Sequence, residues 1–158
     1  KVKLELNSYN NLYEMVKEHS DNLKVIPSIP PVQKGYVHSG FGYRKDPFDG
    51  KVRFHYGLDF AVNTGTKIYA PADGKIKFAG RQGGFGNVLK IDHGNGNRTL
   101  FAHLSKFKVK SGQQVKRGDL IAISGNTGRS AGPHLHYEVH KYGTPQNPLD
   151  YFFSGYLK

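Results

Sequence analysis

Two imidazoles one residue apart, His134 and His136, stand in the run Pro133-His134-Leu135-His136-Tyr137-Glu138-Val139-His140. Side chains alternate between the faces of a strand, so His134, His136, Glu138 and His140 are expected to share one face while Leu135, Tyr137 and Val139 enter a core. A rigid backbone would then hold two imidazoles side by side, which suits one metal ligand and one neighbouring acid/base group. Upstream, His55-Tyr56-Gly57-Leu58-Asp59 offers an imidazole and a carboxylate. A catalytic zinc site takes three protein nitrogen or oxygen ligands and keeps a fourth position for water. His55, Asp59 and one member of the His134/His136 pair meet that requirement. His103, in Leu100-Phe101-Ala102-His103-Leu104, suits general acid/base work or polarisation of a carbonyl, provided that such a site exists beside it. Each feature is ordinary when taken alone; their weight comes from occurring together.

These residues need a scaffold, and the chain supplies a β-rich one. With 158 residues it fits one domain, or one domain with a short appendage. Ten Phe and ten Tyr provide large apolar pieces, and the absence of Cys excludes disulfides, thiolate ligands and a cysteine nucleophile. All twenty glycines fall at or after Gly35, and short runs rich in Val, Ile, Tyr, Phe and Lys are separated by glycine-containing turns. Asp73-Gly74 between Lys67–Ala70 and Lys75–Ala79 predicts a hairpin. So does Gly94-Asn95-Gly96-Asn97 between Asn87–Asp92 and Arg98–His103. Strands are also expected at Leu120–Ser124 and His134–His140, giving a compact antiparallel barrel or sandwich.

Residues 1–30 differ in character. Four Lys balance four acids there, whereas the remainder has nineteen basic and eight acidic residues and carries the whole net charge of +11. Leu12, Met15, Val16 and Leu23 recur at helical spacing, with Ser8 or Asn10 as N-cap, and Pro27, Pro30 and Pro31 lead into an extended linker. The expected division is a helix and linker over 1–34 and a β-domain over 35–158. The basic balance suits an anionic partner such as a bacterial envelope. Nucleic acid fits less well, because the cations are dispersed and no arginine-rich helix occurs. No apolar run reaches the ~20 residues of a membrane span, no signal peptide is visible, and the chain opens without Met. A trimmed piece of a longer protein is expected, with export and any membrane anchoring encoded beyond it.

The ordered motifs resemble the lysostaphin/LytM-type zinc endopeptidases. Ser39-Gly40-Phe41-Gly42-Tyr43-Arg44, His55-x-x-x-Asp59, Ala70-Pro71-Ala72-Asp73-Gly74, Phe101-Ala102-His103-Leu104 and Gly125-Asn126-Thr127-Gly128 before Pro133-His134-Leu135-His136 all agree. The likeness runs from about residue 35 to the end. It implies one zinc ion on His55, Asp59 and His136, with His103 and His134 as catalytic histidines. It also implies an antiparallel core of four to seven strands with the site in a groove between loops, and peptidoglycan cross-links as the substrate. Zinc brings the pKa of a coordinated water to about 7; His134 or His103 would accept its proton while the other steadies the oxyanion, and the residues leave that division open. Glu138 is a rival base, although roughly 6.5–7 Å separates alternate residues of a strand, which suits a rim position better.

The stretch Ser39–Arg44 with Asp46-Pro47-Phe48 resembles the Gram-negative D,D-endopeptidase branch of that family, which implies cleavage of D-alanyl–diaminopimelate bonds in the periplasm, in wall remodelling or cell-shape control. A glycine-bridge endopeptidase and a non-catalytic wall-binding or activator domain are the alternatives. A biotinyl- or lipoyl-type carrier, suggested by Ala70–Ile76 and Val115–Ile121, is the weaker reading, since its modifiable lysine usually stands beside methionine and the only methionine is Met15. Restraint is expected from a preceding region or from a partner held by residues 1–30, and oligomeric state stays open. His19, His38, His93 and His140 read as surface or structural residues, Asp46 and Asp92 as turn residues. Tyr43, Arg44, Asn63 and Asn87 are candidates to line the groove.

Overall fold

A computed structural model describes residues 11, 14, 17 and 19–152 of the chain. It has twelve strands: β1 Tyr36–Ser39, β2 Gly42–Lys45, β3 Val52–His55, β4 Leu58–Ala61, β5 Lys67–Tyr69, β6 Gly74–Arg81, β7 Asn87–Gly94, β8 Asn97–Phe107, β9 Gln114–Val115, β10 Leu120–Ser124, β11 Leu135–Lys141 and β12 Thr144–Gln146. Ten of them form one antiparallel sheet whose main path runs β1-β4-β11-β8-β7-β6-β9. β10 joins β8 to β5, and β12 pairs with β11. β2 and β3 make a separate two-stranded ribbon. The expected mainly-β class is the observed one.

Alternation within the central strands decides what is core and what is free for chemistry. Leu58 and Phe60 of β4, Phe101 and Leu104 of β8, and Leu135, Tyr137 and Val139 of β11 are buried in one apolar cluster with Ile68, Ile76, Leu89 and Ile91. Each side chain of this size contributes about 1.5–3 kcal/mol by leaving water. Asp59, His136 and Glu138 occupy the intervening positions and leave by the opposite face.

The β7–β8 hairpin is the tight turn that its sequence announces. Asn95 and Gly96 both have positive φ (51° and 79°), the pairing a type I′ turn requires, and Gly94 pairs with Asn97. The other expected hairpin does not form. β5 pairs with β10, whereas β6 pairs with β7 and β9. Pro71 supplies no amide to a ladder. The flanking Ala70 instead bonds both ways to the segment before β10, its N–H to Asp119 O and its O from Gly118 N–H, so the chain leaves β5 without folding back on it.

Residues 19–24 are helical. Leu12, Met15, Val16, Ser8 and Asn10 lie outside the described residues, and Leu23 is exposed rather than packed inward. Polar bonds dock the end of this helix: the Arg117 guanidinium donates to Leu23 O and Ile26 O, and Asn97 donates to Val25 O. Beyond it, Val32 is in the core and Pro31 O accepts from Tyr69 N–H. Among the described residues, no helix is long and apolar enough to cross a membrane.

His93 of β7 is one structural histidine with a measurable consequence. It is buried between the Asp73 carbonyl, 2.7 Å from Nδ1, and the Thr99 hydroxyl, 2.7 Å from Nε2. Burial pushes its pKa from 6.5 down to about 4, although the hydrogen bond to Asp73 opposes the change. Below pH 6.5 the unfolded chain therefore binds a proton that the folded chain refuses, and stability falls with falling pH. Urea unfolding at pH 7.5 and pH 5 is expected to show His93→Asn losing about 2 kcal/mol less than the parent over that interval.

Candidate functional site

Sheet register brings the first two groups together. β4 and β11 pair antiparallel with Asp59 directly opposite His136, and both side chains rise from the face that the core does not use. Asp59 Oδ1 stands 2.9 Å from His136 Nδ1. His55 arrives from the ribbon, at the end of β3. Between His55 and Asp59 the chain presses on β11, where a Cβ built on Gly57 would lie 2.3 Å from the Tyr137 carbonyl oxygen. Only glycine permits that approach, and it turns both flanking side chains to the same point. His55 Nε2 lies 3.2 Å from His136 Nδ1 and 3.2 Å from Asp59 Oδ1.

Three buried donor atoms thus converge from β3, β4 and β11. A tetrahedral zinc ion with bonds of about 2.0–2.1 Å separates its ligand atoms by roughly 3.3 Å, so the spacing fits that ion. Tautomers fit as well. His55 Nδ1–H donates to Gly40 O at 2.8 Å, which frees Nε2, and His136 Nε2–H donates to Glu138 Oε2 at 2.7 Å, which frees Nδ1. Charge agrees with both. Burial alone would raise the Asp59 carboxyl, but the facing imidazoles of His136 and His55, 2.9 and 3.2 Å from Oδ1, outweigh it and hold the group well below the usual carboxylate range. Burial likewise works against charge on His136, yet Asp59 and Glu138 lift its pKa to about 9. A positive charge is favoured where these groups meet.

The two remaining histidines flank this point by different devices. His103 lies in a β-bulge of β8. Phe101 pairs with Leu89 and Leu104 with Asn87, so two residues of β8 face the single Val88 of β7. His103 itself takes φ +61°, a left-handed conformation uncommon outside glycine, though His tolerates it better than most residues. Without the bulge, alternation would send His103 to the face of Phe101 and the core. With it, Nδ1–H donates to Thr127 O at 2.7 Å. Burial keeps its pKa down at about 4, against the pull of that hydrogen bond, so the ring is neutral near pH 7 with Nε2 unprotonated.

His134 sits just before β11 in a single bridge to Gly125, not within the strand as its sequence suggests. Its Nδ1–H donates to Gly132 O at 2.8 Å, and its Nε2 lies 3.7 Å from Asp59 Oδ1. The rings of His103 and His134 are 4.7 Å apart, centroid to centroid. All five histidine and aspartate positions singled out in the sequence therefore share one site.

The site opens into a groove of about 670 Å³ whose walls include His38, Arg44, Lys45, Phe48, Arg129 and Ser130. Of the candidate groove residues, Arg44 is the informative one. Its guanidinium is 3.1 Å from Asp59 Oδ2 and donates to Ser39 Oγ at 3.1 Å. Asn87 holds the wall in place instead, donating to Leu104 O while its N–H donates to Thr127 Oγ1. Asp46 accepts from Phe48 N–H, as a turn residue would. It also pairs with Arg53 at 2.7 Å and with Arg129 at 3.1 Å, tying the ribbon turn to the loop before His134. Asp92 caps its turn through Gly94 N–H.

Glu138 is not aimed into the groove. Its two oxygens accept from His136 Nε2–H and His140 Nε2–H, each at 2.7 Å, and these bonds outweigh burial to bring its pKa to about 2. The sequence contained the signal for this arrangement, since residues 136, 138 and 140 share a strand face, but not the direction of the carboxylate.

The chain is similar to known proteins over most of its length. The model of peptidase family M23 matches residues 53–148. The chain is 48% identical over 122 residues to the DD-carboxypeptidase/endopeptidase Mpg of Neisseria meningitidis, covering 77% of the chain and 28% of that protein. It is 43% identical over 134 residues to the peptidoglycan DD-endopeptidase ShyA of Vibrio cholerae, covering 84% of the chain and 31% of that protein. The fold matches the crystal structure of a zinc-containing peptidase from Vibrio cholerae with a TM-score of 0.72 and 42% identity, over 77% of this chain and 39% of the other. The chain thus spans about a third or less of the length of these curated relatives.

Proposed function

The chain belongs to peptidase family M23, and from that premise we propose that it is a zinc-dependent endopeptidase hydrolysing peptide cross-links of bacterial peptidoglycan. D-alanyl–diaminopimelate is the bond we favour. The observation that carries this reading is the convergence of His55 Nε2, Asp59 Oδ1 and His136 Nδ1, 2.9–3.2 Å from one another, with two further imidazoles at its edge. These three atoms would hold the ion. Zinc bound there supplies Lewis-acid activation of a water and of the scissile carbonyl near neutral pH.

The chain's own groups carry the protons. His103 and His134 each spend Nδ1–H on a main-chain carbonyl, leaving Nε2 lone pairs in the site. One accepts the proton released as water adds to the carbonyl carbon; a proton then passes to the leaving amine as the C–N bond breaks. His103, kept neutral by burial, is ready to accept and reluctant to retain. Arg44 holds Asp59 by the oxygen not turned toward the histidines, and with Lys45 and Arg129 it makes the groove attractive to an anionic stem peptide. A non-catalytic binding domain would have no use for both imidazoles with free Nε2 atoms beside a three-ligand set.

Support for the D,D bond lies in the names of the two relatives, one of them a peptidoglycan DD-endopeptidase. Action outside the cytoplasm, in the periplasm during wall remodelling, follows from that substrate. The peptidase unit is proposed to be residues 35–158, with residues 1–34 and any flanking sequence as the place where restraint or a partner acts. Digestion of purified sacculi of both cross-link chemistries, with fragments identified by mass spectrometry, tests the assignment. Monomeric muropeptides from D-alanyl–diaminopimelate dimers are expected. Release only from glycine-bridged sacculi would overturn the choice of bond, and release from neither would overturn the activity.

A further inference from the structure

The two metal-facing histidines are locked by unlike partners. His55 gives its second N–H to a main-chain carbonyl, whereas His136 gives its own to a carboxylate. We infer that Glu138 is a positioning residue for the metal centre, fixing His136 as an Nδ1 ligand, and that His140 holds Glu138 in that role; the inference rests on the zinc reading above.

Three observations carry it. First, the strand spacing of 136, 138 and 140 puts the three side chains in a row on one face of β11, and the carboxylate spans both gaps with bonds of 2.7 Å. Second, both Glu138 oxygens are occupied by histidine N–H groups and the residue is buried, so neither is directed at the groove where a base would be needed. Third, a bare imidazole can bind through either nitrogen. The Cβ of a strand residue fixes where the ring can lie but not which nitrogen carries hydrogen, and here a charge-assisted bond decides it. A carboxylate on the far nitrogen also makes the near one a stronger donor, and partners of this kind are worth about 10–100-fold in metal affinity. His140 completes the row: by taking Oε1 it prevents the carboxylate from rotating away from His136.

The test uses the whole chain loaded with zinc. Zinc affinity is measured by competition with a chromophoric chelator for the parent, Glu138→Gln, Glu138→Ala and His140→Ala, with thermal unfolding of each zinc-free protein as a control for folding. Glu138→Gln keeps shape and an acceptor oxygen but removes the charge, and a loss of about 10–100-fold is expected; His140→Ala should lose less. In parallel, 15N spectra of the zinc-loaded parent should show hydrogen on Nε2 of His136, which does not depend on whether a variant folds. Parent-like affinity in both Glu138 variants, or hydrogen on Nδ1 of His136, overturns the inference. If the parent itself binds no zinc, the zinc reading has failed instead.

Discussion

Replacing His136 by Ala is expected to abolish zinc retention and, with it, digestion of sacculi. Losing one of the three proposed ligands leaves Asp59 and His55, one short of the three protein groups that a catalytic zinc site takes beside its water. Affinity should therefore fall by more than the ~10–100-fold typical of losing an outer partner. The same substitution removes the group that most favours the ionised form of the buried Asp59, so the remaining pair is also less well disposed. Elemental analysis after gel filtration gives metal content, and turbidity loss of a sacculus suspension gives activity. A His136→Ala protein that keeps one zinc per chain and full activity would exclude the proposed ligand set.

His103→Ala and His134→Ala should behave in the opposite way, keeping zinc while turnover falls by about 10²–10⁴-fold. Neither ring donates or accepts within the three-atom ligand cluster. Each is instead oriented by a main-chain carbonyl, that of Thr127 in the segment after β10 for His103 and that of Gly132 in its own loop for His134. If the two serve one proton-transfer sequence, the double variant should be little worse than the poorer single one, because residues acting as a unit are not additive. Measuring kcat and zinc content for the set decides the matter. A single variant that loses its metal would make that histidine part of the ligand set.

Much of this site was legible in the amino-acid order because strands translate spacing into geometry directly. His136 and Glu138 had to share a face, Leu135 and Tyr137 had to oppose them, and Asn95-Gly96 had to turn. Three features were less legible, each for a reason of tertiary origin. The β5–β6 hairpin was contradicted by partners far away in sequence, since β5 finds β10. His103 was picked out by its motif, but strict alternation from Phe101 would turn it into the core, because an extra residue in β8 depends on how β7 lies against it. Arg44 and Glu138 depend on where long side chains end, and period-2 alternation gives their face without giving their partners.

Gly57 and the ribbon it follows bear on how the protein would respond to its cation. Asp59 and His136 belong to the hydrogen-bonded interior of the large sheet, but His55 belongs to β3, whose ladder is with β2 alone. Any ion gripped by all three is therefore a rivet between two sheets that share no ladder. Filling the proposed metal site and docking the ribbon become one equilibrium, so whatever pulls the ribbon aside would also release the ion.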